Sequence, residues 1–409
     1  MVMLHLNFPR KFRVCFETSK TVGVQEKMNL EWRRSFVSKV FGLENEKDIV
    51  NAEKLIRLHA QNLSQAGDFS CPGKSEIWSR VLKNVEVEHS SLEKIDSLKN
   101  ELALSEIKLC HKNGYLSFWL NRSAFITNVL ESFEKIDFKL KKEQTCDLQN
   151  LDLFYRSSRC ELTSIRCNQL TQFVERLLRC GLVNSSNFEE ISITSNDKIR
   201  NAILVGPVID KKTKKKCADS FLNVYKRFLS ILDIASKERL VQSEDKRIAN
   251  VHAVTSAEIQ FQLLSNNLSQ PAIIDENADK AATFVLYNHA RIVQLLQATK
   301  EENRDKTEII DFNLLNEEDE WEMIFVYLSR YLFVLNDILK PGDVKVGRLL
   351  QYLTGLSQSF SRYYNRVHVI KDAAHLWPTQ CSRLKLVSIV KSVMEHALEL
   401  LTIPCLGRM

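Results

Sequence analysis

Few residues in this chain have the type and spacing for catalysis. His289, His368 and His375 are candidate acid/base groups, but none has a plausible nucleophile beside it. Cys110-His111 pairs two ligand types at a strand end beside a turn, with no third partner in view. The ten cysteines include no CxxC pair, so no zinc site is expected. A phosphate-cradling P-loop, a GxGxxG fingerprint, a GxSxG elbow, an HExxH pair and a glycine-rich S-adenosylmethionine motif are all missing. The shortage of glycine-rich loops weighs against nucleotide-dependent catalysis. The expectation is no catalytic residue, no cofactor and no metal.

Two basic stretches remain. Lys211, Lys212, Lys214, Lys215 and Lys216 form a short run, with 13 Lys and Arg against 6 Asp and Glu between Lys198 and Arg247. Such a run is most simply a solvated loop or a localisation tag, though it raises affinity for phosphates in a salt-dependent way. Ser357 to Ile370 sets Phe360, Tyr363, Tyr364, Arg362 and Arg366 around Asn365. Leu349, Leu353, Leu356, Phe360 and Tyr363 run into it at steps of four, three, four and three, one face of an amphipathic helix. Alone, this pattern is a helix end with buried aromatics and a charged rim. Only one of two neighbouring tyrosines can face inward, so Tyr363 is expected in the core and Tyr364 outside.

The 409 residues suffice for two or three domains, and 26% charged residues with 44% hydrophobic is ordinary for a globular chain. A net charge of +6 permits an anionic partner without demanding one. Low Gly and Pro point to helix. Scattered cysteines read as reduced thiols of a cytosolic or nuclear protein, and the chain is expected in the cytoplasm. No apolar run approaches transmembrane length, and residues 1–27, which show no clear period, are an uncertain extension.

Helices are expected at Asn29 to Phe41, Glu46 to Leu63 and Glu76 to Val87. Strands at Glu101 to Cys110 and Gly114 to Leu120 are joined by an Asn113-Gly114 turn, and a helix follows at Arg122 to Ile136. Leu151 to Gly181 carries a long helix stopped by Gly181. Ala202 to Val208 is a short strand of the doubly buried kind. From about Asn250 the period is helical throughout: Ser256 to Leu264, Ala281 to Thr299, Asp319 to Leu339, Val346 to Asn365 and Cys381 to Leu401 make a bundle. The acidic run Glu317 to Glu320 favours the dipole of the third of these helices.

FVLYNHARIVQLL (residues 284–296), DFNLLNEEDEWEMI (311–324), LLQYLTGLSQSFSRYYN (349–365), SRLKLVSIVKSVMEHALELLTI (382–403) and the closing Arg408-Met409 resemble the DALR anticodon-binding domain of class I arginyl-tRNA synthetases. YYNRVHVI, VGPV and DFNLLNEEDEW resemble more closely the family of DALR anticodon-binding domain-containing protein 3, a synthetase paralogue without aminoacylation activity. Upstream, residues 114–131 resemble the end of the synthetase's additional domain. Residues 160–181 resemble the helix carrying its HxGH motif, but Glu161 and Ser164 stand at the histidines and Thr163 at the glycine. No KMSKS motif follows Val208. About twenty residues after Gly181 replace half a nucleotide-binding domain, too few to complete a doubly wound sheet. The motif that names the DALR domain falls near Ala257-Glu258-Ile259-Gln260, with Gln260 in place of arginine.

The resemblance implies a mainly α chain with a smaller α/β part. Its parts are an N-terminal α+β domain (28–150), a truncated α/β synthetase-like remnant with the basic loop (151–245) and an all-helical anticodon-binding bundle (246–409). It implies a non-catalytic adaptor that recognises arginine tRNAs for a partner tRNA 3-methylcytidine methyltransferase. Unstacked anticodon bases are read by aromatic stacking and base-edge hydrogen bonds. On that footing the implied tRNA contacts are Tyr287, Asn288, Arg291, Arg362, Tyr364, Asn365, Arg366, Arg383 and Met409. By elimination the methyltransferase would meet residues 28–150. The alternatives are a protein–protein scaffold that keeps the bundle without RNA binding, and a residual arginyl-tRNA synthetase activity.

Overall fold

The computed structural model describes residues 25–82, 95, 97–100, 102–110, 114–140, 147–150, 161–183, 190–194, 203–211, 213–237, 244–302, 307–340, 343–370 and 374–407. Met409, Arg408, Lys212 and the Asn113 half of the expected turn lie outside them. Among the described residues, no helix is long and apolar enough to cross a membrane.

The first part packs helix α1 (Gln25–Phe41) on a four-stranded antiparallel sheet of order β1-β2-β4-β3. Its strands are β1 (Arg57–Leu58), β2 (Phe69–Pro72), β3 (Leu104–Cys110) and β4 (Tyr115–Leu120). Phe36 meets the stacked pair Phe69–Phe118 edge-on, at 6.2 and 5.3 Å between centroids. Short helices α2 (Glu46–Glu53), α3 (Leu63–Ala66) and α4 (Ser75–Val81) edge the sheet, and α5 (Arg122–Glu134) follows it.

The single helix expected over Glu46 to Leu63 is a correction. It ends at Glu53 because β1 pairs with β2. His59 completes the exchange: its amide donates to the Asp68 carbonyl at 3.0 Å, and its ring bonds the Gly67 carbonyl and Ser70 hydroxyl at 2.9 Å each. Sheet pairing here overrides the helical period of the segment.

The middle part holds α6 (Glu161–Arg179) against a parallel sheet of β5 (Asp147–Asn150), β6 (Glu190–Thr194) and β7 (Ile203–Leu204). Gly181, at φ +67°, marks the expected stop. The expected strand Ala202 to Val208 is split. Ile203–Leu204 forms β7, with Leu204 exposed against the expected double burial, and only the last residue, Val208, enters β8 (Val208–Asp210), which pairs in parallel with β9 (Ala272–Ile274) in a different sheet. The break falls at Gly206-Pro207, where a Cβ on Gly206 would come within 2.5 Å of the Gln270 carbonyl oxygen.

A helix not read from the sequence, α7 (Phe221–Lys237), then pairs with α8 (Glu244–Leu264), which begins twelve residues before its expected start. Arg247 fastens the hairpin by bonding Asp233 at 2.6 Å.

The remaining elements complete the bundle: α9 (Ala281–Glu302), α10 (Glu318–Glu322), α11 (Tyr331–Ile338), α12 (Val346–Arg366) and α13 (Trp377–Leu400). A one-turn π segment (Met323–Tyr327) and a 3₁₀ turn (Leu328–Arg330) join α10 to α11, where one regular helix was expected. After α11 the short strands β10 (Leu339–Lys340) and β11 (Asp343–Val344) form an antiparallel pair. Glu258, almost wholly buried in α8, accepts the Thr283 amide at 2.7 Å and so caps the start of α9.

Candidate nucleic-acid interface

The apolar stripe of α12 decides which residues at its end remain free. Leu349, Leu353, Leu356, Phe360 and Tyr363 are all completely buried. Tyr363 donates its hydroxyl to Glu320 at 3.4 Å, and burial pushes its pKa well up. That rotation turns Arg362, Tyr364, Asn365 and Arg366 outward, with Tyr364 38% exposed.

Across the groove, α9 contributes Tyr287 and Arg291, four residues apart and therefore on one helix face. Arg291 donates to the Tyr287 hydroxyl at 2.6 Å. Its guanidinium lies 4.6 Å from the Tyr287 ring centroid and 4.7 Å from that of Tyr364. Cation–π attraction holds the two helices together at a partly exposed site. Beside it opens a cavity of about 260 Å³, lined by Tyr364, Asn365, His368 and the apolar Leu295, Val367, Val369 and Ile370.

The acidic segment at α10 sits next to these groups and does more than favour a helix dipole. Arg362 bonds Glu322, and Arg366 pairs with Asp319 at 3.4 Å. Arg366 keeps 68% of its side chain exposed, so that pair is a weak surface contact. Glu320 is completely buried and accepts Arg383 Nε at 2.8 Å and the Glu317 amide at 3.0 Å. Burial pushes the Glu320 pKa up, opposed by the Glu317 amide and the Arg383 charge. Glu318 takes both guanidinium nitrogens of Arg122, at 2.6 and 3.1 Å. The Trp321 indole donates to Asp68 at 2.7 Å, which also accepts the Leu120 amide at 2.7 Å. The segment therefore joins the first sheet to the bundle.

Two of the expected contacts are corrections. Asn288 is completely buried, with its amide donating to the Phe284 carbonyl at 2.9 Å, and cannot offer an edge to a base. Arg383 is 93% buried by side chain and is consumed by Glu320, Glu317 and the His368 carbonyl, so it does not reach a phosphate. Arg362 stays exposed but is held by Glu322. Lys211 pairs with Asp275 at 2.5 Å in a tight turn after β8, while Lys214, Lys215 and Lys216 are exposed there. The residues gathered at one place are thus Tyr287, Arg291, Tyr364 and Asn365, flanked by Arg362 and Arg366.

Two of the positions that resemble the synthetase's nucleotide motif make hydrogen bonds within the fold. A Glu161 carboxylate oxygen accepts the Phe221 amide at 3.2 Å, at the start of α7. Thr163, 3% exposed, accepts the Val208 amide at 3.1 Å. Between them and the bundle lies Arg166, completely buried and with no carboxylate partner among the described residues. It donates to the carbonyls of Leu263, Gly206 and Gln270 at 2.7 to 2.8 Å, and to that of Asn267 at 3.4 Å. Burial lowers its pKa to about 10. Gln260, where the DALR motif has arginine, is buried and donates to the Leu401 carbonyl.

Residues 285–409 match the DALR anticodon binding domain family. The chain is 29% identical over 180 residues to DALR anticodon-binding domain-containing protein 3 of Danio rerio, covering 38% of this chain and 32% of that protein. Identity to the Rattus norvegicus counterpart is 32% over 171 residues, covering 37% and 32%. Identity to the arginine–tRNA ligase of Methanocaldococcus jannaschii is 32% over 128 residues, covering 31% and 21%. The chain spans about a third of the length of the two DALR-domain proteins. The solved Thermus thermophilus arginyl-tRNA synthetase aligns with 92% of this chain and 58% of its own, at TM-score 0.44 and 12% identity. The family match and the sequence similarity to the DALR-domain proteins bear out the resemblance read from the bundle segments.

Proposed function

We propose that the chain is a non-catalytic tRNA-binding adaptor, acting in the cytoplasm. It recognises arginine tRNAs and supports 3-methylcytidine formation in the anticodon loop by a partner methyltransferase. The observation that carries the reading is the Tyr287–Arg291–Tyr364 cluster with exposed Asn365 at its edge. It offers stackable aromatic faces, a cation and an amide edge in one place, within the segment matched by an anticodon-binding family. The non-catalytic part of the reading is supported by Glu161 and Thr163, whose side chains accept backbone amides at positions that resemble the synthetase's adenylation motif. In this reading residues 28–150 meet the methyltransferase, 151–245 are the remnant and 246–409 hold the anticodon loop.

A gel-shift titration of the full chain, with arginine and non-arginine tRNAs, tests this reading. The expected result is binding tighter than the roughly 10⁻⁴ to 10⁻⁶ M range of non-specific association, with preference for arginine tRNAs. No binding in that range, with the methyltransferase also present, would overturn it. One observation favours the scaffold reading instead: Glu322 and Asp319 already occupy Arg362 and Arg366. Unchanged tRNA binding on replacing both arginines, with loss of a protein partner, is the outcome that reading requires.

A further inference from the structure

His289, Glu395 and Cys405 come from α9, α13 and the segment after α13, 106 and 10 residues apart in sequence. One ring nitrogen of His289, one carboxylate oxygen of Glu395 and the Cys405 Sγ lie within 4.8 Å of one another. His289 is only 1% exposed. Its Nδ1 is 3.2 Å from the Leu406 carbonyl oxygen, and its Nε2 is 3.3 Å from Glu395 Oε1. A carbonyl oxygen only accepts, so Nδ1 carries the proton that bonds it. Nε2 then faces a carboxylate, with a thiol close by. A neutral imidazole would set its lone pair against the carboxylate oxygen there. Either a second proton on the ring, at Nε2, or a metal cation between the two atoms removes that conflict.

We propose that His289 Nε2, Glu395 and Cys405 Sγ bind a single zinc ion, tying the C-terminal tail to α9 and α13. Nitrogen, oxygen and sulfur donors together suit a borderline-soft divalent ion. Bonds of about 2.0 to 2.3 Å in a tetrahedral centre put ligand atoms about 3.5 Å apart, which a small side-chain adjustment reaches. The surrounding bonds are those a metal-bound histidine needs. The Leu406 carbonyl fixes its tautomer, and Lys391 Nζ holds the other Glu395 oxygen at 2.8 Å. Cys405 and Glu395 are not sealed from solvent, so water can take the fourth position. The expectation of no metal site rested on local cysteine spacing, and here the ligands meet only through the fold.

Binding exchanges the thiol proton for the metal: Zn²⁺ bonds the sulfur and one proton leaves to solvent. Affinity therefore rises with pH through the neutral range.

The test uses the full chain, stripped with a chelator and titrated with Zn²⁺ against a chromophoric competitor. One zinc per chain is expected, with proton release. Cys405→Ser should weaken binding at least about tenfold, while Cys381→Ser, a buried cysteine outside the group, should not. Co²⁺ should give a thiolate-to-metal absorption that is lost in Cys405→Ser. His289→Asn adds a second reading where it folds. Failure to retain zinc, or equal binding by wild type and Cys405→Ser, overturns the proposal.

Discussion

Arg291 of α9 stands 4.7 Å from the ring centroid of Tyr364 of α12, so the exposed tyrosine is held by a cation and not left to rotate. A stacking platform fixed in advance loses less entropy when a base lands on it. Tyr364→Ala should cost about 1–3 kcal/mol of tRNA affinity, roughly 5- to 150-fold, while Tyr364→Phe keeps most of it. Filter binding checks the affinity. A thermal melt should move little, because the residue is partly exposed.

Arg366 is the most exposed of the four arginines paired to the acidic segment. Arg366→Ala should weaken tRNA binding and reduce the slope of log affinity against log salt by about 0.7 to 0.9. Asp319→Asn, which frees Arg366, should raise affinity. An Arg366→Ala variant that loses stability and binding in equal measure would show that the residue belongs to the fold.

Asp68 is completely buried and accepts from the Leu120 amide and the Trp321 indole. Burial raises its pKa, against those two bonds. Asp68→Ala leaves both donors orphaned between the first sheet and the bundle. A loss of about 2–4 kcal/mol is expected, measured by denaturant unfolding.

His396 is 2% exposed, with Nδ1 at 2.6 Å from the Tyr331 hydroxyl. Burial lowers its pKa from 6.5 to about 4. The unfolded chain takes up the proton first as pH falls, so the stability this histidine contributes is present above pH 6.5. It is lost progressively between pH 6.5 and 4, by up to about 3 kcal/mol. The difference in melting temperature between wild type and His396→Gln, followed across that window, should shrink on acidification.

The bundle was legible because its helices bury one stripe each, and a stripe is a local pattern. Phe360 and Tyr363 inside with Tyr364 outside follow from that pattern alone. Asn288 and Arg383 also lay within reach of it. Asn288 shares the inward face of Val285 and Ile292, and Arg383 that of Leu386, Val387 and Val390. Their polarity suggested a ligand where the period required burial. Helix α7 carries the same signal in Phe221, Val224, Phe228 and Leu232, directly after the lysine run. The carboxylate partners of Arg362, Arg366 and Arg383 are 40 to 66 residues distant, and no local pattern states such a pairing.

The four carbonyls gathered by Arg166 bear on where this chain can be cut. They come from residues 206, 263, 267 and 270, on both sides of position 245. Leu162 and Val208 also share a core with Ile259, Leu263 and Ala272. Excising residues 246–409 at the boundary suggested by resemblance would strip a charged donor from three of those carbonyls and uncover that core. The helical bundle is therefore expected not to fold as an autonomous unit. It should melt with residues 161–237 in a single cooperative calorimetric transition, and the excised fragment should denature well below the whole chain.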